Sequence, residues 1–177
     1  MPAPVSRARL SGDQPAGDLP FLIVDGAAMS ESSAITQYLA DTHPEAGLSV
    51  APSDPAYADY PNILHIGEAT LTVPQTQYFR YTMLEPSERR NAQVAEDYRR
   101  WVLKRLEAAM GMMHGRDHAC GGRSTAADIS VGYAIKFAEA LGLGDDLPPA
   151  AVEYFRRLEA RPAYQRVMAV ERENAVE

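Results

Sequence analysis

The sequence predicts an α+β protein in which a short β-β-α unit, residues 1–45, is joined by a linker, 46–56, to an all-helical unit, 57–177. Three observations predict it. The apolar run Phe21-Leu22-Ile23-Val24 stops at Asp25-Gly26, a hairpin turn signal, and Ala27-Ala28-Met29 follows as a short partner strand. The stretch 44–56 holds Pro44, Pro52 and Pro55 and keeps no sustained period, as a linker does. Beyond it, apolar residues recur only at helical spacing.

Each element has its own signal. Residues 1–18 are rich in Pro, Gly, Ser, Asp and Arg and read as irregular. Ser30 or Ser32 caps a first helix with Ala34, Ile35, Tyr38 and Leu39 at apolar positions, and Pro44 ends it. The long helical stretch 57–83 contains Pro74, which lacks a backbone donor and is expected to kink or interrupt it. Residues 87–113 form a second amphipathic helix with Val94, Tyr98, Trp101, Val102, Leu106, Ala109, Met110 and Met113 on one face. Thr125 and Asp128, three apart before an apolar run, predict a capping box in which each side chain accepts from an otherwise unpaired backbone donor. Ser124 stands where an apolar staple residue would brace that helix start. Two final helices are separated at Arg161-Pro162, with Pro162 suited to a first helical turn.

Composition narrows the function. A net charge of −7 and a pI near 5.1 argue against a nucleic-acid or anionic-membrane partner, which requires clustered positive charge. No apolar run approaches a membrane span. With Cys120 as its single cysteine the chain forms no internal disulfide, which suits a reducing compartment and makes the cytoplasm the default.

Four local sequences, taken in order, make the architecture specific: DLPFLIVDG (18–26), SESSAITQYL (30–39), STAADISVGYAI (124–135) and RPAYQRV (161–167). Together they resemble the cytosolic glutathione transferase family, and NILHIGEATLTVPQTQYFRY (62–81) is similar to the first long helix of its bacterial members. The resemblance runs from about residue 17 onward. It implies a thioredoxin-like first unit in which DLPFLIVDG is the third strand. A strand, a helix and another strand are then expected ahead of it, and the preceding 18 residues are too few to supply them, so the first unit reads as truncated.

The resemblance also implies roles. Leu19, before a cis Pro20, would hold the cysteinyl part of glutathione through its main chain, as an added strand does. The plainer reading is that Pro20 merely begins the strand. Ser32 at a helix N-terminus would take the γ-glutamyl carboxylate, with Glu31 complementing the ammonium; the alternative is ordinary capping. Thr72, Gln75 and Tyr78, with Glu68 and Tyr81 nearby, would line an acceptor pocket for a hydrophobic electrophile, or form a solvated or interdomain helix face. Thr125 and Asp128 are structural. The thiol-activating residue that the family places after its first strand has no match, and neither Ser6 nor Ser11 follows a recognisable strand, so the catalytic residue stays unassigned.

Cys120 reads as incidental, and His114, Asp117, His118 and Cys120 only superficially resemble metal ligands, because no second pair follows at zinc-site spacing. The expected function is conjugation of the glutathione thiolate to a hydrophobic electrophile, with glutathione as substrate, no metal, and a homodimer as the family's usual assembly. A noncatalytic binding or scaffold protein of the same fold is the alternative.

Overall fold

A computed structural model describes residues 20–174. Strands β1 (Leu22–Val24) and β2 (Ala27–Met29) pair antiparallel, Leu22 opposite Met29 and Val24 opposite Ala27. Asp25 and Gly26 both take positive φ, 49° and 83°, as the two-residue turn that matches strand twist requires. Helix α1 (Ser32–Thr42) follows and buries Ser33, Ile35 and Ala40. Its N-cap position is Glu31, in extended conformation and without a side-chain cap bond, so neither Ser30 nor Ser32 caps it. Of the expected apolar face, Ile35 is buried while Leu39 is 42% exposed.

The helical unit begins with one continuous coil rather than a broken one. Helix α2 (Asp59–His65) runs into a π-helical segment, Ile66–Thr72, then α3 (Val73–Phe79), then a second π-helical turn, Arg80–Leu84. Pro74 falls in the first turn of α3, where its missing donor is tolerated, directly after the π-helical segment. The Val73 N–H reaches back five residues to the Glu68 carbonyl. Helix α4 (Ala92–Met112) starts five residues later than its amphipathic pattern suggested, because the Asn91 side chain accepts from the Val94 N–H at 3.1 Å and fixes the N-terminus there.

Helix α5 (Ala126–Ala140) is the centre of the bundle. It packs on α1, α2, the π-helical segment Ile66–Thr72 and α6 (Pro149–Glu159), and α7 (Pro162–Asn174) closes on α6. The core gathers Leu64, Leu71, Val102, Leu106, Val131 and Ile135 with Tyr154 and Phe155. On α4, Val102, Leu106, Ala109 and Met110 point inward, and Met113 just past it is buried too. Trp101 departs from that face: it is 47% exposed, stacked on Tyr98 at 5.6 Å with Arg105 over its ring. Among the described residues no helix is long and apolar enough to cross a membrane.

Candidate functional site at the start of helix α1

The turn between β1 and β2 aims the chain so that β2 leads straight into the N-terminus of α1, where backbone donors point outward. Pro20 is exposed just ahead of β1, and Leu19 lies outside the described residues. Glu31 is exposed at the N-cap position. Ser32 is half-buried, and its hydroxyl donates to Glu68 Oε2 at 3.3 Å, across 36 residues and from one unit to the other. The sequence placed Glu68 with the acceptor face; the structure brings it to Ser32 instead.

Thr72 and Gln75 are both buried. The Thr72 hydroxyl donates to the Gly67 carbonyl at 2.9 Å within its own π-helical turn. Gln75 is fully buried, and its Nε2 donates to the Ala134 carbonyl of α5 at 3.0 Å, tying the two helices together. Both side chains lie inside the bundle, and Gln75 Oε1 is buried there without a hydrogen-bond partner. Tyr78 is half-buried and packs against the core. An apolar cavity of about 270 Å³ lies elsewhere, between α5, α6 and α7, walled by Ile129, Tyr133, Phe155, Leu158 and Tyr164.

A second cluster is built round Asp128, which is fully buried at the start of α5. Thr125 and Asp128 form a capping box, in which the Thr125 N–H donates to Asp128 Oδ2 at 2.8 Å. The Thr125 hydroxyl adds a bond to the same oxygen at 3.1 Å. Oδ1 accepts from the Ala119 N–H and from the Tyr154 hydroxyl, both at 2.8 Å. This carboxylate therefore joins a loop, a helix start and α6, and the capping motif revealed only the local half of it. Nothing in the spacing between Asp128 and Tyr154 signals their contact.

The loop ahead of α5 is structural. Its Asp117 pairs with Arg157, His114 sits exposed at a positive φ of 51°, and His118 Nδ1 stands 3.9 Å from Asp128 Oδ1, beyond hydrogen-bond reach. Among the described residues no group of three or more His, Cys, Asp or Glu side chains is placed to hold a metal ion.

Cys120 is fully buried, its sulfur 3.3 Å from the Thr125 hydroxyl. Burial pushes the thiol pKa up, only partly offset by that contact, which leaves it protonated and unreactive. Burial raises Tyr154 in the same direction, with the neighbouring Asp128 charge adding to it. Groups held protonated by the fold bind more protons in the native state once pH passes their unfolded values, ordinarily 9.0 for the thiol and 10.0 for tyrosine, so stability falls from there upward. Two results are expected: a disulfide reagent leaves Cys120 unlabelled until the chain unfolds, and urea midpoints hold near neutrality but drop between pH 9 and pH 10.5 or so. Fast labelling of the native chain, or a flat alkaline limb, would contradict this account.

A two-stranded hairpin leads into a helix whose N-terminus meets an all-helical bundle, the order of a small α/β unit followed by a helical domain. The comparisons with known proteins carry the particulars. Residues 2–47 match the family model described as glutathione S-transferase, N-terminal domain, a match that takes in the leader ahead of residue 17. A sphingomonad glutathione S-transferase solved with glutathione is 24% identical, with 89% of this chain and 75% of that one aligned at a TM-score of 0.75. Ure2p5 from Phanerochaete chrysosporium, cocrystallised with 1-(S-glutathionyl)-2,4-dinitrobenzene, is 23% identical over 92% of this chain and 79% of its own, TM-score 0.80. BphK, a bacterial GST solved as a ternary complex, is 22% identical over 89% and 76%, TM-score 0.75. No curated protein sequence matches the chain. The chain thus has the glutathione transferase fold, and its front matches the N-terminal domain of that family.

Proposed function

We propose that this protein binds glutathione at the start of α1 and conjugates its thiolate to a hydrophobic electrophile. The observation that carries the reading is the family match over residues 2–47, which spans the segment where Pro20, Glu31 and Ser32 surround a hairpin and a helix N-terminus. Backbone donors, the Ser32 hydroxyl and the positive end of the helix suit a carboxylate. Neighbours of the same fold were crystallised with glutathione and with a glutathionyl-dinitrobenzene adduct, which supports both halves of the proposal. In it, residues 1–45 are the glutathione-binding unit, 46–56 the linker and 57–177 the helical domain. Leu19 holds the cysteinyl backbone, Glu31 faces the ammonium, and Tyr78 is the residue of the expected acceptor set left to face a substrate. The compartment is the cytoplasm and the assembly a homodimer, for which exposed Trp101, stacked on half-buried Tyr98, offers an apolar face beside exposed Val73.

Calorimetric titration of the 177-residue chain with glutathione tests the proposal. Saturable binding that weakens about tenfold in Ser32→Ala, as loss of one charge-assisted hydrogen bond implies, is the expected result. A folded chain that takes up no glutathione would sink it. Binding without turnover of a chloronitrobenzene acceptor would select a noncatalytic binding protein, and light scattering on the same sample decides the assembly.

A further inference from the structure

We propose that the cavity between α5, α6 and α7 is a binding site for a small aromatic carboxylate, apart from the start of α1 and independent of the glutathione reading. At about 270 Å³ it offers about twice the space that holds a benzene ring in a protein core, room for roughly ten to thirteen non-hydrogen atoms. Its walls are apolar, and Tyr133, Phe155 and Tyr164 present rings to it. Phe155 and Tyr164 meet edge to face with centroids 5.9 Å apart, which fixes two of these walls against each other. At the rim Tyr133 and Val167 remain 54% and 64% exposed, so a flat apolar body seated between them takes that surface out of water.

The charges of the walls select an anion. The chain as a whole carries −7, yet the cavity is lined by two cations, Lys136 and Arg161, against one carboxylate, Asp128. Asp128 is fully buried and already accepts from four donors, so it has nothing left to offer a ligand. Glu139, Glu159 and Glu171 lie near Tyr164 but outside the walls. Lys136 reaches from α5 to Glu171 on α7 at 2.6 Å, with Met168 Sδ 3.4 Å from the same nitrogen. That pair is partly exposed and weak, and it holds the ammonium beside the cavity for a second acceptor. Arg161 is half-buried just ahead of α7 and pairs with no carboxylate among the described residues. A guanidinium with unspent donors at the edge of an apolar, ring-lined space matches a carboxylate whose aromatic body fills that space.

The probe is 2-naphthoate, with 2-naphthamide as its uncharged counterpart of the same shape, titrated calorimetrically into the full chain and into Arg161→Gln and Val167→Asp. Wild type is expected to bind naphthoate with a Kd of roughly 0.1 mM and the amide about tenfold more weakly. Arg161→Gln should remove most of that tenfold preference by weakening naphthoate alone. Val167→Asp, at an exposed wall position, should weaken naphthoate by about tenfold through like charge. Circular dichroism melts establish that both variants are folded, and excess glutathione should leave the naphthoate affinity unchanged. Equal affinity for the two probes, no saturation by the folded wild type, displacement by glutathione, or binding that neither variant moves overturns the proposal. Decanoate binding tighter than naphthoate overturns the aromatic class in favour of a fatty acid, and naphthoate binding that is lost as protein concentration rises shows that a second copy covers the cavity instead.

Discussion

Replacing Asp128 by alanine is expected to cost about 3–5 kcal/mol of folding stability, the range for breaking a buried charged network by removing one partner. Four donors converge on this carboxylate: the N–H groups of Ala119 and Thr125 and the hydroxyls of Thr125 and Tyr154. All belong to groups buried from water, so the truncation strands two backbone donors and two hydroxyls together. Loss of the cap alone would account for only about 1 kcal/mol. Asparagine separates the contributions. Its carbonyl can serve one pair of donors, but its amide hydrogens then face the other pair, so a cost of about 2–3 kcal/mol is expected from donors left unpaired. Tyr154→Phe removes a single hydroxyl bond and should cost about 1–2 kcal/mol. Urea unfolding at pH 7 reads all three, and a loss below about 1 kcal/mol for Asp128→Ala would mean that water or rearrangement satisfies these donors and that the carboxylate is no hub.

Legibility followed the range of the interactions. The hairpin was plain because Asp25-Gly26 acts over two residues, and the capping box because Thr125 and Asp128 stand one turn apart. Helix existence was equally plain, since burial of one face imposes a period that any window of the chain displays. What the sequence hid was register and reach. Pro74 announced a disturbance, but a π-helical turn and a kink both accommodate the carbonyl that its missing donor leaves unpaired, and no local pattern shows that Gly67 of the π-helical segment meets α5. Thr72 and Gln75 are buried in the bundle, and side chains whose helical spacing suggested a pocket wall tie to Gly67 and Ala134. At the candidate site, Ser32 could be named from its place before a helix. Its partner Glu68 could not, because a contact between units leaves no local pattern.

The close crossing of Gly67 on α5 can be tested directly. Gly67→Ala is expected to lower stability by about 1–3 kcal/mol, although alanine is the better helix former by roughly 1 kcal/mol. A β-carbon at Gly67 would lie 2.2 Å from Ser130 Oγ and 2.7 Å from the Ser130 backbone carbon. The side chain could rotate away, but the backbone cannot, so α5 must move. That shift also breaks the bond from the Ser130 hydroxyl to the Leu64 carbonyl, 2.7 Å, which is worth about 1 kcal/mol, and overpacking adds about 1–3 kcal/mol more. For a chain of this length the net loss corresponds to a melting temperature lower by roughly 6 °C. Two other glycines calibrate the result. At Gly132 the nearest obstacle is Leu158 Cδ1 at 2.8 Å, the end of a flexible side chain, so Gly132→Ala should cost less than about 1 kcal/mol. Gly111 on α4 has nothing within 4 Å, and alanine there should stabilise by about 0.5–1 kcal/mol. The decisive variant is Gly67→Ala with Ser130→Ala: because the backbone carbon remains in place, the second substitution should recover little. Full recovery would show that only the serine hydroxyl stood in the way.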